Sequence, residues 1–322
     1  MSFLLSWKPI ALISLYVSIM SSVCLEIVGL NNEINEKLSI NQLSLTIEKG
    51  KKVALLGLNG AGKTSLIKLL LGESEPDSGQ IQYYLNNKKL LPYQLAFKSQ
   101  MGYQSDNMMA IKELSVKDYL RFCAFLKDIE QKQVDGLIKS VCYIWGLENL
   151  TEHQLTTLSK GNLQKVALAQ TYLNKPKFLF FDEPCQNLDP VEQDRFLKNI
   201  TDLKGFDLCL FSTHDVEQAV DIADHILVFH QANLVFQIDL ESNSDYLLLL
   251  KNTSQGIESN LTKLALNYQM LGERIVLVKK IKRDQVEDIT SQLNREKIEI
   301  EFFLPTKEAI LPLFKLLEKS VI

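Results

Sequence analysis

Gly57-Leu58-Asn59-Gly60-Ala61-Gly62-Lys63-Thr64 decides how this chain is read. An apolar run, Val53-Ala54-Leu55-Leu56, leads into it, and Ser65-Leu66-Ile67-Lys68-Leu69-Leu70-Leu71 leads out. The order is buried strand, glycine turn, helix, which is the context the spacing G-x-x-x-x-G-K-[ST] requires. The glycines let the backbone fold tightly, so that its N–H groups point at phosphate oxygens. The helix beginning near Gly62 adds its positive N-terminal end. Lys63 brings a full charge to the β- and γ-phosphates, and the Thr64 hydroxyl is a ligand for Mg2+. The candidate phosphate cradle is Gly57, Leu58, Asn59, Gly60, Ala61, Gly62, Lys63, Thr64 and Ser65.

A second acidic site lies downstream. Phe178–Phe181 is a strand of four apolar residues ending in Asp182-Glu183. A P-loop ATPase needs a carboxylate there to hold the water shell of Mg2+, which suits Asp182. Glu183, one residue further, can accept a proton from an attacking water. Around these sites strands alternate with helices. CLEIVGL and LSINQLSLTIE predict two antiparallel strands, and EPDSGQIQYY a turn and another strand. Residues 115–127 and 131–146 carry apolar residues at helical spacing, another helix starts near Lys160, and LCLFST is a second buried strand. DHILVFH and NLVFQIDL predict a closing hairpin. The fold class is α/β, a mostly parallel sheet with helices on both faces.

The character changes after residue 240. ESNSDY and KNTSQG are polar and turn-rich, RIVLVKK and IEIEFFL alternate like strands, and EAILPLFKLLEKSVI is a terminal amphipathic helix. Residues 23–240 are therefore expected to form the main domain and 241–322 a small α+β appendage. Residues 1–22 are an apolar extension whose run PIALISLYVSIMSSVC is shorter than the about 20 residues a membrane span needs. It lacks the basic flank and cleavage site of a signal peptide. It reads as sequence upstream of a true start at Met20, as a membrane anchor, or as a buried or disordered extension. The net charge of −4 gives no basic stripe for nucleic acid. Five scattered cysteines without a CxxC pair support neither a zinc site nor a disulfide framework. His153, His225 and His230 are not spaced as metal ligands, KKIKRD (279–284) reads as a solvated face, and Trp145 as core.

Four further elements carry a family resemblance over residues 24–240. Leu158-Ser159-Lys160-Gly161-Asn162 resembles the LSGGQ signature of ABC ATPases. Asn187-Leu188-Asp189-Pro190 resembles their D-loop, His214 after LCLFST their H-switch, and Met101-Gly102-Tyr103 the opening of their Q-loop. The resemblance implies a P-loop NTPase of ABC type, with an antiparallel β subdomain and an α-helical subdomain. It implies ATP and Mg2+ as ligands and hydrolysis in a head-to-tail dimer. There Ser159 and Gly161 of one subunit bind the γ-phosphate held by the P-loop of the other, at a helix N-terminus. His214 orients the water and Asp189 couples the two sites.

The chain departs from the family in three places. The Q-loop glutamine falls on Asp106, with Gln104 two residues away. Lys160 and Asn162 replace a glycine and a glutamine of the signature. Aliphatic Ile34 stands where an adenine-stacking aromatic is usual. The interval between Lys63 and Asp182 carries no sustained heptads, unlike chromosome-organising relatives. A single P-loop excludes the two-cassette translation class. What remains is a stand-alone subunit, peripheral on the cytoplasmic face of the cell membrane. Its expected partners are a separate membrane-spanning permease and a second ATP-binding subunit, with no nucleic acid. The tail PTKEAILPLFKLLE (305–318) resembles that of export ATPases, which favours export. A soluble, non-transport regulatory ATPase is the alternative.

Overall fold

The computed structural model describes residues 22–34, 37–104, 113–186, 188–240, 242, 244–252 and 256–319. The N-terminal apolar run up to residue 21, Asp106 and Asn187 lie outside the described residues. In chain order the elements are β1 (Val23–Ile34), β2 (Lys37–Glu48), β3 (Lys51–Gly57), α1 (Lys63–Leu70), β4 (Ser78–Leu85), β5 (Lys88–Leu90), α2 (Leu95–Lys98), β6 (Met101–Gln104), α3 (Val116–Leu126), α4 (Gln131–Trp145), α5 (Lys160–Tyr172), β7 (Phe178–Phe181), α6 (Pro190–Asp202) and β8 (Leu208–Thr213). They continue with α7 (Val216–Ile222), β9 (His225–His230), β10 (Asn233–Asp239), β11 (Tyr246–Leu250), α8 (Ile257–Lys263), β12 (Asn267–Met270), β13 (Ile275–Lys279), α9 (Val286–Arg295), β14 (Ile300–Pro305) and α10 (Thr306–Glu318). Contacts group the chain into two compact units, residues 1–52 with 64–212, and residues 53–63 with 213–322.

The first unit holds an antiparallel sheet of order β2-β1-β4-β5. Along β2 the buried residues alternate, Leu43, Leu45 and Ile47, as on a one-sided sheet, whereas β1 buries Val23, Cys24 and Leu25 in succession and β4 buries Ile81, Gln82 and Tyr83. Strands β6, β7 and β8 run parallel. All four residues of β7 are buried, because a parallel strand is covered on both faces and cannot alternate. Tyr83 of β4 fixes several elements together. Its ring stacks on Phe97 at 4.2 Å and meets the edge of Phe178 at 5.0 Å, and its hydroxyl donates to Leu70 O at 2.9 Å, at the end of α1. Helices α3, α4 and α5 pack on one another. Gly146 ends α4 in the left-handed conformation at φ 67, and Trp145 beside it stacks on Phe196 of α6.

In the second unit β9 pairs in parallel with β3 and antiparallel with β10. The last eighty or so residues give the order β-α-β-β-α-β, in a wholly antiparallel sheet ordered β12-β13-β11-β14, followed by α10. This is a split βαβ arrangement of ferredoxin-like type. It has its own core of Leu248, Leu250, Val276, Val278, Leu261 and Leu293 with their neighbours. The tail helix α10 packs on β11, β14 and α7, and its apolar face of Ala309, Ile310, Leu313 and Leu317 is buried there. Among the described residues no helix is long and apolar enough to cross a membrane.

Candidate nucleotide site

Strand β3 delivers the glycine loop. A Cβ on Gly57 would lie 2.6 Å from the Phe229 carbonyl oxygen of β9, so only glycine lets the parallel pair close at this point. Gly60 and Gly62 sit at φ 79 and 106, the left-handed region that an L side chain resists. The Ala61 amide donates to Leu58 O at 3.1 Å, and the Ala61 carbonyl accepts from Ala232 N at 3.2 Å. Lys63 opens α1 and is only 6% exposed. Its ammonium folds back over its own loop, donating to Gly57 O at 2.7 Å and Leu58 O at 3.3 Å. Neutral carbonyls are weaker partners for an ammonium than phosphate oxygens. Lys63 thus places a charged donor at the loop. Asn59 and Thr64 are exposed, Leu58 and Ser65 half-buried.

The carboxylate pair leaves the end of β7. Asp182 is 1% exposed. Its amide donates to Gln104 O at 3.0 Å on β6, and its Oδ1 accepts the Ser212 hydroxyl at 2.6 Å. Glu183 follows at φ 45, and its amide donates to Ser212 Oγ at 2.8 Å. A carboxylate has about four lone-pair sites, of which Ser212 takes one. Among the described residues no group of three His, Cys, Asp or Glu could hold a metal. Mg2+ binds through one or two protein oxygens and keeps much of its water. Asp182 and the Thr64 hydroxyl are the donors suited to it.

The family-like segments lie at the ends of helices and strands. Ser159 is exposed and caps α5, its hydroxyl accepting from Asn162 N at 3.2 Å, with half-buried Gly161 in the first turn. Two bonds tie α5 to the stretch after the acids. Gln164 Nε2 donates to Pro184 O at 3.2 Å, and the Lys165 ammonium meets Glu192 Oε1 at 2.6 Å. Asp189 is exposed and caps α6 by accepting from Glu192 N at 3.0 Å, with Pro190 in the first turn. His214 is exposed and directly follows β8, ahead of Asp215, which caps α7. The structure thus joins Asp182 to Glu183 through Ser212, and α5 to the acidic segment through Gln164. Gly57 to Lys63 and His214 belong to the second unit; Thr64, Ser65, Asp182, Glu183, Ser159, Gly161 and Asp189 belong to the first. Gln104 is fully buried at the end of β6, and Ile34 is 48% exposed. Sequence reasoning missed Ser212 and Gln164. The signal for Ser212 lay in the parallel register, which pairs Phe181 with Phe211 and so sets residue 182 opposite 212.

A strand, glycine loop and helix with a buried lysine, together with carboxylates at the end of a buried parallel strand, define a P-loop nucleotide-binding protein. Residues 40–186 match the ABC transporter family. An uncharacterized ABC transporter ATP-binding protein of Nostoc sp. is 32% identical over 209 residues, 63% of this chain and 60% of that protein. The zinc import ATP-binding protein ZnuC of Rickettsia bellii is 30% identical over 212 residues, 65% of this chain and 83% of that protein. A solved ATP binding subunit of an ABC transporter superposes with a TM-score of 0.61 at 26% identity, over 68% of this chain and 90% of that one. The chain belongs to the ABC transporter family of ATP-binding cassette proteins, an ATPase class. It spans about three fifths of the length of several relatives it matches, 60% of the Nostoc protein and 58% of a molybdate/tungstate import ATP-binding protein of Pyrococcus abyssi.

Proposed function

We propose that this chain is the ATP-hydrolysing subunit of an ABC transporter, driving a separate membrane-spanning subunit from the cytoplasmic face. The observation that carries the reading is the loop 57–63 with its left-handed glycines and buried, inward-folded Lys63. In this reading Gly57 to Ser65 bind the ATP phosphates, and Thr64 and Asp182 hold Mg2+. The bound ion neutralises phosphate charge. Glu183 accepts the proton of the attacking water and His214 orients that water. Ser159 and Gly161 of a second copy or a related chain complete the site across a head-to-tail interface, and Asp189 couples the two sites. ATP binding closes the pair and hydrolysis opens it.

Residues 23–240 form the cassette and 241–322 an appended domain. We take export as the direction, on the Pro305-led tail; the ZnuC relative is named for import. The test of the core reading is Lys63→Ala. It is expected to lose ATP binding in isothermal titration while remaining folded, and unchanged affinity would overturn it. For the transport reading, affinity capture from cells is expected to recover an integral membrane protein; recovery of ribosomes or DNA in its place would overturn that part.

A further inference from the structure

We propose that Ser212 is a positioning residue of this site, a single hydroxyl that fixes the Asp182 carboxylate and the Glu183 backbone together. The inference rests on the hydrolytic reading above and names how the two acids come to serve one reaction.

Ser212 is fully buried near the end of β8. Its two bonds admit one arrangement. The Glu183 amide is a donor, so Ser212 Oγ must accept it at 2.8 Å; an ionised Asp182 only accepts, so the hydroxyl proton must go to Oδ1 at 2.6 Å. The side chain is thereby used in both roles. Successive residues of an extended strand point to opposite faces. A straight continuation of β7 would therefore set Asp182 and Glu183 apart. Glu183 instead adopts φ 45, a left-handed conformation that ends the alternation and that a non-glycine residue holds only when its surroundings fix it. The bond to Ser212 is one such fixing contact. A serine on the neighbouring strand thus orients the acid assigned to the metal and holds the turn of the acid assigned to the water.

Valine and threonine have the same shape and differ by the hydroxyl, so Ser212→Val and Ser212→Thr in the full chain make the test. With the valine, kcat for ATP is expected to fall about 10- to 100-fold, less than loss of a general base itself, while KM for ATP and Kd for ADP stay within about threefold. The threonine variant is expected to keep kcat within about threefold. In the ligand-free protein, hydrogen exchange at the Glu183 amide should speed up at least about tenfold with valine and not with threonine, while amides within β7 and β8 keep their protection. A valine variant with wild-type kcat and a protected Glu183 amide would overturn the proposal. So would a threonine variant as impaired as the valine one, or a loss of protection spread evenly over both strands. If the valine variant does not fold, Ser212→Ala takes its place with the same expectations. The exchange readout uses no nucleotide. If Lys63→Ala showed the hydrolytic reading to be wrong, it would still report whether Ser212 holds the turn.

Discussion

Lys63 and Glu183 act through different quantities, and substitutions separate them. Removing the Lys63 ammonium deletes a charge-assisted partner for phosphate, so nucleotide affinity is expected to fall at least about tenfold, about 1.4 kcal/mol or more. Glu183→Gln keeps size and phosphate contacts but cannot take a proton. ATP binding is expected to persist, with kcat down by about 100-fold or more in a single-turnover assay. Wild-type turnover in that variant would move the base elsewhere. The motif residues were legible because their spacing along the chain carries their chemistry. Ser212 and Gln164 were not, since a side chain that bonds across neighbouring elements owes its partner to register and packing.

At the scale of elements, Gly102 shows how tightly β6 lies against its surroundings. A Cβ there would meet the Thr171 carbonyl oxygen of α5 and stand 2.9 Å from Pro176 Cγ. A backbone carbonyl has little room to yield, so Gly102→Ala is expected to cost about 1–3 kcal/mol by overpacking, read as a lower urea midpoint with an unchanged slope. Elements with a clear period could be read directly. The hairpin β9–β10, the apolar strand β7 and helices α3 to α5 lie where spacing and composition put them. Strand β11 was overlooked between two polar stretches. Its Tyr246-Leu247-Leu248-Leu249-Leu250 is buried at every position, so it shows no alternation. Helix α9 carries Val286, Ile289 and Leu293 at helical spacing, but in ten residues the pattern is faint. The βαββαβ order depends on those overlooked pieces, so residues 241–322 could be read only as α+β.

On the scale of the whole molecule, the proposed reaction needs two cassettes, from two copies or from this chain and a related one. Ser159 caps α5 on an exposed turn, and the head-to-tail reading sets that turn against the ATP of a partner. With Glu183→Gln, adding ATP is expected to double the mass seen by light scattering. Ser159→Arg placed on that background should abolish the doubling and leave ATP binding intact, because the bulk and charge fall on the opposing face alone. Dimers that persist with arginine there would contradict the arrangement. The wild-type chain is expected to show specific activity that rises with protein concentration, and a concentration-independent monomeric activity would contradict it as well. Residues 53–63 join residues 213–322 through the pairing of β3 with β9, a partnership that no local pattern announces.

That pairing has a consequence for how the protein is made. Val53 is matched with His225, about 170 residues later in the chain, and Gly57 with Phe229. A ribosome releases the glycine loop long before it has synthesised the strand that frames it, and non-local pairing of this kind is slow to form. During that interval the nascent chain carries an intact motif on an apolar strand that lacks its β9 partner. ATP cannot act as a folding ligand until β9 has emerged, because a ligand stabilises only the state that binds it. A message truncated after residue 65 and before residue 225 would therefore yield a polypeptide with the glycine loop and without the strand that pairs with it. Quality control should clear such fragments as unfolded chains, before they can pair with an intact subunit and poison it.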